Sequence, residues 1–161
     1  MRLFVRTLVF FLALTAPLQV WAQPQPSAPA QDQVPPSLRS QAEQIFALAN
    51  QARAQAGVGR LEWDAALAEA ALNHCRRMAQ EGPIAHRYGG EPDVATRAAD
   101  AGARFGVIEE NVAVGPSAEG IHEEWMNSPG HRSNLLSPDV DRVGVAVVAS
   151  RGVLYAVADY A

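Results

Sequence analysis

Three side chains carry the chemical interest of this sequence: Glu110, His131 and His86. In Val107-Ile-Glu-Glu-Asn-Val-Ala-Val114 a period of two puts Ile108, Glu110, Val112 and Val114 on one face, and Val107, Glu109, Asn111 and Ala113 on the other. Glu110 falls on the more apolar face, where a carboxylate must be met by a cation, a metal or good donors. As a structural acid it would bond backbone amides or an arginine, with Arg97 and Arg104 as candidates. In Ser128-Pro129-Gly130-His131, Ser128 suits an N-cap and Pro129 the first helical position, which places His131 in the opening turn. The helix dipole there disfavours imidazolium, so the neutral ring can accept a proton or bind a metal. Asn134 follows one turn later on the same face. Capping or simple packing is the alternative reading of His131. His86, between Pro83-Ile84-Ala85 and Arg87-Tyr88-Gly89-Gly90, has a loop context that presents a side chain. Two histidines and a carboxylate from distant segments could converge as metal ligands, although they share no local motif.

Two hydrolase patterns fail. His122-Glu123-Glu124 lacks the second histidine of His-Glu-x-x-His, and Gly115-Pro116-Ser117-Ala118-Glu119-Gly120 is not Gly-x-Ser-x-Gly.

The elements that must position these groups follow from periodicity. Leu38, Ala42, Ile45, Ala49 and Ala52 stack on one face of a helix over Ser37–Ala56, ended by Gly57. Asp64 is a plausible N-cap for a second helix, with Leu67, Ala71, His74 and Met78 at helical spacing before Gly82-Pro83. His74 reads as core packing, and Cys75 as a small buried hydrophobe rather than a nucleophile. Shorter helices are expected over Pro92–Gly102, Pro116–Asn127 and Pro129–Leu136. Gly106–Gly115, Val143–Val148 and Val153–Tyr160 read as strands, the last two joined by Ala149-Ser150-Arg151-Gly152 as an antiparallel hairpin. Because these strands are apolar on both faces, helices must cover the sheet on both sides. The expected fold class is α+β, a three-layer α-β-α sandwich with a central, mainly antiparallel sheet.

The chain has 161 residues, of which 48% are apolar and 19% charged, which places it among ordinary globular proteins. One cysteine rules out an intramolecular disulfide and any multi-cysteine metal site. All 13 basic residues are arginine against 17 acids, so lysine Schiff-base chemistry and Walker-type phosphate binding are excluded, and nucleic acid is not an expected partner. Residues 1–22 have the layout of a secretory signal: Arg2 and Arg6, an apolar run from Thr7 to Ala16, then Val20-Trp21-Ala22 before the cut. The run is short of the ~20 apolar residues of a spanning helix, so export and release are expected, with no transmembrane segment after cleavage. Losing Arg2 and Arg6 and no acids leaves 11 bases against 17 acids, a net charge of -6. Residues 23–36 hold five prolines and almost nothing to bury, which reads as a solvated tether, and residues 37–161 as one domain.

Taken in order along the chain, these residues resemble the bacterial branch of the CAP superfamily (cysteine-rich secretory proteins, antigen 5 and pathogenesis-related proteins). The resemblance runs from Leu38 to Tyr160: Asn50-Gln51-Ala52-Arg53, Leu61-Glu62-Trp63-Asp64, Ala71 to Met78, His86, Arg97 to Gly102, and Glu110-Asn111-Val112-Ala113-Val114-Gly115. Its most specific string is Trp125-Met126-Asn127-Ser128-Pro129-Gly130-His131-Arg132-Ser133-Asn134-Leu135-Leu136. The resemblance implies the same α-β-α sandwich and a cleft gathering two histidines and acidic residues. His86 and His131 would be the cleft histidines, which hold zinc in some members, and Glu110 the acid of the Glu-Asn motif. The implied cleft comprises His86, Glu110, Asn111, Ser128, His131 and Asn134. Two departures stand out: the family's Gly-Glu-Asn is here Glu109-Glu110-Asn111, and the second acid of eukaryotic members, three positions after the tryptophan, is Ser128.

The favoured function is binding rather than catalysis: an exported monomer, periplasmic or extracellular, whose cleft takes a small ligand, a lipid or an envelope component. The resemblance adds sterol and lipid binding in several eukaryotic members. One alternative is a zinc-dependent hydrolase with His86 and His131 on the metal and Glu110 as general base. Another is a non-catalytic interaction module of the envelope.

Overall fold

The computed structural model describes residues 35–161; the expected signal segment, and the tether up to residue 34, lie outside the described residues. The first helix, α1 (Pro36–Ala56), begins on a proline at its first turn, where a missing N–H costs nothing. It buries Ala42, Ile45, Ala49 and Ala52, the stripe expected from spacing. Gly57 ends it at φ 71°, in the left-handed region that favours glycine. The first strand, β1 (Glu62–Trp63), is a two-residue element too short to show a period. Helix α2 (Ala65–Glu81) starts on Asp64, whose Oδ1 accepts from the N–H groups of Ala66 and Leu67 at 2.8 and 3.1 Å.

The remaining elements are α3 (Val94–Asp100), β2 (Glu109–Gly115), α4 (Ala118–Asn127), α5 (Pro129–Leu135), β3 (Arg142–Ser150) and β4 (Val153–Tyr160). Four are shorter than the sequence suggested: α3, β2, α4, which starts at Ala118 after its Ser117 cap rather than at Pro116, and α5, which stops at Leu135. Asp93 caps α3, so Pro92 stays outside it, and β2 begins only at Glu109, where pairing with Tyr160 starts. The hairpin turn is tighter than expected: Ser150 pairs with Val153, leaving Arg151 (φ 53°) and Gly152 (φ 80°) as a two-residue turn with both residues left-handed.

The sheet order is β1-β3-β4-β2, with β1 parallel to β3 and the other two pairings antiparallel. Alternation along the strands divides the core as the apolar faces required. Val143, Val145, Val147, Ala156, Ala158 and Tyr160 pack with α1, α4 and α5 residues. Ala146, Val112, Tyr155 and Val157 pack on the other face against α2. The three-layer α-β-α sandwich with a mainly antiparallel sheet is therefore observed. Buried Arg53 on α1 ties the post-α5 segment to this frame, donating to the carbonyls of Leu135 (3.0 Å), Ser137 (2.8 Å) and Val140 (3.0 Å). Cys75 is buried and its thiol donates to the Tyr155 carbonyl at 3.1 Å, and burial pushes its pKa up, so it is unreactive.

Candidate functional site

Glu110 lies on the face shared with Val112, as period two required, and is 7% exposed. Both of its carboxylate oxygens are engaged. Oε1 accepts from Nδ1 of His86 at 2.8 Å, and Oε2 accepts from a guanidinium N–H of Arg97. Of the two candidate arginines, Arg97 is thus the partner. Arg104 is exposed, and its carbonyl accepts from Arg142 instead. Arg97 also donates to the carbonyls of His86 (3.2 Å) and Pro92 (3.0 Å), so one buried cation holds both the acid and the backbone that carries the first histidine.

The loop between α2 and α3 has its own brace. Buried His74 places Nδ1 2.7 Å from Glu91 Oε1 and Nε2 2.8 Å from the Ala85 carbonyl. Its two ring nitrogens each face an oxygen, one on Glu91 and one on the Ala85 backbone. His74 is therefore buried as expected, but it acts as a tie rather than as packing alone. Glu91 also accepts from the Tyr88 N–H at 2.9 Å. Burial alone would raise the Glu91 pKa, but the bonds from His74 and Tyr88 outweigh it and hold the carboxyl below its usual range.

The second histidine is carried by α5. Asn111 donates through Nδ2 to the His131 carbonyl at 2.9 Å, and its Oδ1 accepts from Nδ2 of Asn134 at 3.0 Å. Asn134 donates as well to the Glu110 carbonyl at 3.2 Å. The Glu-Asn pair thus points two ways from one strand: Glu110 toward α3 and the His86 loop, Asn111 toward α5. Asn111→Ala is expected to lower stability by about 1–3 kcal/mol in urea unfolding, because the half-buried His131 carbonyl and Asn134 amide of α5 are left without the buried partner that holds them. A change below about 0.5 kcal/mol, the level of an ordinary surface substitution, would show that α5 is held by other contacts.

The two imidazoles are electrostatically coupled but biased in opposite directions. The bond to Glu110 raises the His86 pKa, with partial burial opposing, and this side chain is 59% exposed. Burial lowers the His131 pKa; the charge of His86 lowers it further, and Glu124 partly offsets this. Glu124 itself is exposed. His131 Nδ1 is buried without a hydrogen-bond partner. Ser128 is half-buried at the start of α5, but its side chain makes no capping bond, so the expected N-cap interaction is not formed. Among the described residues no hydrogen bond joins Ser128 to the other five residues expected to line the cleft.

One acid went unnoticed in the sequence. Asp159 on β4 sits directly opposite Glu110 in the sheet register and is fully buried. The signal was available: Asp159 shares the period-two face of Tyr155 and Val157, so it is an inward carboxyl for the same reason as Glu110. Its burial pushes its pKa well up, and the neighbouring Glu110 charge adds to this while Arg97 opposes it.

Solved structures of the same fold include an extracellular protein and an outer surface protein. An extracellular protein containing an SCP domain from Bacillus anthracis superposes with a TM-score of 0.72 at 24% identity, covering 79% of this chain and 43% of that one. An outer surface protein from Borrelia burgdorferi gives a TM-score of 0.70 at 20% identity, covering 76% of this chain and 92% of that one. In sequence, the uncharacterized membrane protein YlbC of Bacillus subtilis is 36% identical over 112 residues, 65% of this chain and 31% of that protein. The chain spans less than half the length of the curated relatives it matches. The sequence model of the CAP, or cysteine-rich secretory protein, family matches residues 46–160, nearly the whole folded domain, and the chain belongs to that family.

Proposed function

We propose that this chain is an exported CAP-domain protein whose cleft binds a small ligand, a lipid or a cell-envelope component through His86 and His131. The observation that carries the reading is geometric: His86 is braced by Glu110, and His131 has a buried ring nitrogen, Nδ1, with no partner; the Glu110 bond raises the His86 pKa, and burial lowers that of His131. Such a pair can grip a polar group that both accepts and donates. Export rests on the signal-like layout of residues 1–22 and on the extracellular and outer-surface descriptions of the solved relatives. Among the described residues no helix is long and apolar enough to cross a membrane.

Binding is expected to peak between the two imidazole pKa values. It should fall by roughly tenfold per pH unit once His131 protonates on the acid side or His86 deprotonates on the alkaline side. The test is titration of the mature protein, and of its His86→Ala and His131→Ala variants, against fatty acids, phospholipid vesicles and envelope glycan fragments. Binding that is lost in both variants supports the reading. No binding by the parent protein, or equal binding by all three, rejects it.

A second reading is favoured by one feature. Because Glu110 accepts the Nδ1–H of His86, the neutral ring would keep its lone pair on Nε2, the arrangement in which a carboxylate orients a metal-binding histidine. His86 and His131 would then hold a zinc ion, which would supply Lewis acidity or a structural tie. The donor set is thin: among the described residues no group of three or more His, Cys, Asp or Glu side chains is placed to hold a metal. Glu110 is a poor general base here, since both oxygens already accept hydrogen bonds. Elemental analysis of the purified domain beside His86→Ala and His131→Ala decides this reading: stoichiometric zinc lost in both variants supports it, and unchanged metal content rejects it.

A further inference from the structure

Asp159 has no place in the function proposed above. It is fully buried, stands opposite Glu110 in β2 and opposite Gly144 in β3, and as a carboxylate would have no hydrogen-bond donor for either oxygen. The groups around it are few. From β2 comes Glu110 and from α3 comes Arg97, which Glu110 already engages. β3 contributes Gly144, which has no side chain, and α2 presents the backbone of Leu67 and Ala68 at that glycine. An ionised Asp159 would thus be a second buried negative charge beside Glu110, with a single guanidinium between two carboxylates.

We propose that Asp159 is held as a neutral carboxylic acid that donates its proton in a hydrogen bond to Glu110, and that it is a positioning residue for His86. Glu110 then accepts from three directions: the His86 ring, the Arg97 guanidinium and the Asp159 hydroxyl. The carboxylate is pinned in the rotamer that braces His86, and the two strand acids share one negative charge with one arginine. The geometry accounts for an otherwise costly pairing of two acids across neighbouring strands, which opposes like charges. The pKa direction of Asp159 agrees: burial and the Glu110 charge both favour the protonated form. This placement of the proton involves only the chain's own groups and stands whatever the cleft binds.

The linkage has a definite sign. A carboxyl whose folded pKa lies above its unfolded value keeps a proton that the unfolded chain releases. Its contribution therefore declines as pH rises from the ordinary aspartate range (about 3.9) toward the folded pKa.

The test uses the intact domain. In the parent protein the Asp159 side-chain carbon resonance, read by NMR near neutral pH, is expected at the protonated-acid position. A carboxylic-acid carbonyl band should also appear in the infrared spectrum and vanish in Asp159→Asn. Asp159→Asn, which still donates a hydrogen bond, is expected to fold, to keep the His86 Nδ1–H signal, and to lose this part of the decline in stability with rising pH. Asp159→Leu, which cannot donate, is expected to broaden or shift that signal. A parent resonance at the ionised position overturns the proposal. So does a His86 signal that is the same in the asparagine and leucine variants. The parent spectrum decides even if Asp159→Leu fails to fold.

Discussion

Replacing Arg97 with methionine is expected to destabilise the domain by about 3–5 kcal/mol, the cost of removing one partner from a buried ion pair. Arg97 is the cation at Glu110, and it also holds the carbonyls of His86 and Pro92. Its loss strips the acid of its counter-charge and the loop of its tether at once. Denaturant unfolding measures the first effect, and amide exchange across residues 84–91 measures the second. The double variant Arg97→Met with Glu110→Gln should recover part of the loss, since the uncompensated charge is then gone. A single-variant loss under about 1 kcal/mol, the size of an exposed ion pair, would mean that Glu110 is satisfied without the arginine.

Gly144→Ala is expected to cost more than about 3 kcal/mol or to prevent folding, at the upper end of overpacking effects. A Cβ at Gly144 would lie 1.9 Å from the backbone nitrogen of Ala68 and 2.2 Å from the carbonyl carbon of Leu67. Because backbone is what it meets, trimming a side chain on α2 makes no room, and the helix must leave the sheet. Gly115→Ala is the internal comparison. Its Cβ would meet Ile121 Cγ1 at 2.8 Å, a side-chain atom that can shift, so a milder loss is expected. Thermal unfolding of both variants ranks them, and equal losses would refute the close approach of α2 to β3.

The same contact shows why α2 matters to the site. It lies flat on β3 because Gly144 lets it, and the loop that follows it then carries His86 to Glu110. Nothing in the string Arg-Val-Gly-Val-Ala distinguishes that glycine from one that merely loosens a strand. The turn Arg151-Gly152 is similar: the chain shows a small polar interruption, and strand twist selects which two residues form it.

Local rules did determine a good deal. Helical spacing located α1 and α2, Asp64 announced its cap, and apolar runs on both faces of the strands required helix layers on both sides. Period two placed Glu110 inward, and the order of motifs carried the family resemblance. What lay beyond those rules is the set of partners. Arg97 rather than Arg104, Glu91 with His74, Asn111 between α5 and β2, and Asp159 across from Glu110 are pairings between residues 13 to 49 positions apart. Periodicity tells which way a side chain points from its own element. Which charge or donor waits there is decided only when β4 docks beside β2 and the α2–α3 loop closes over their ends, because electrostatic and hydrogen-bond partners are chosen by proximity in space.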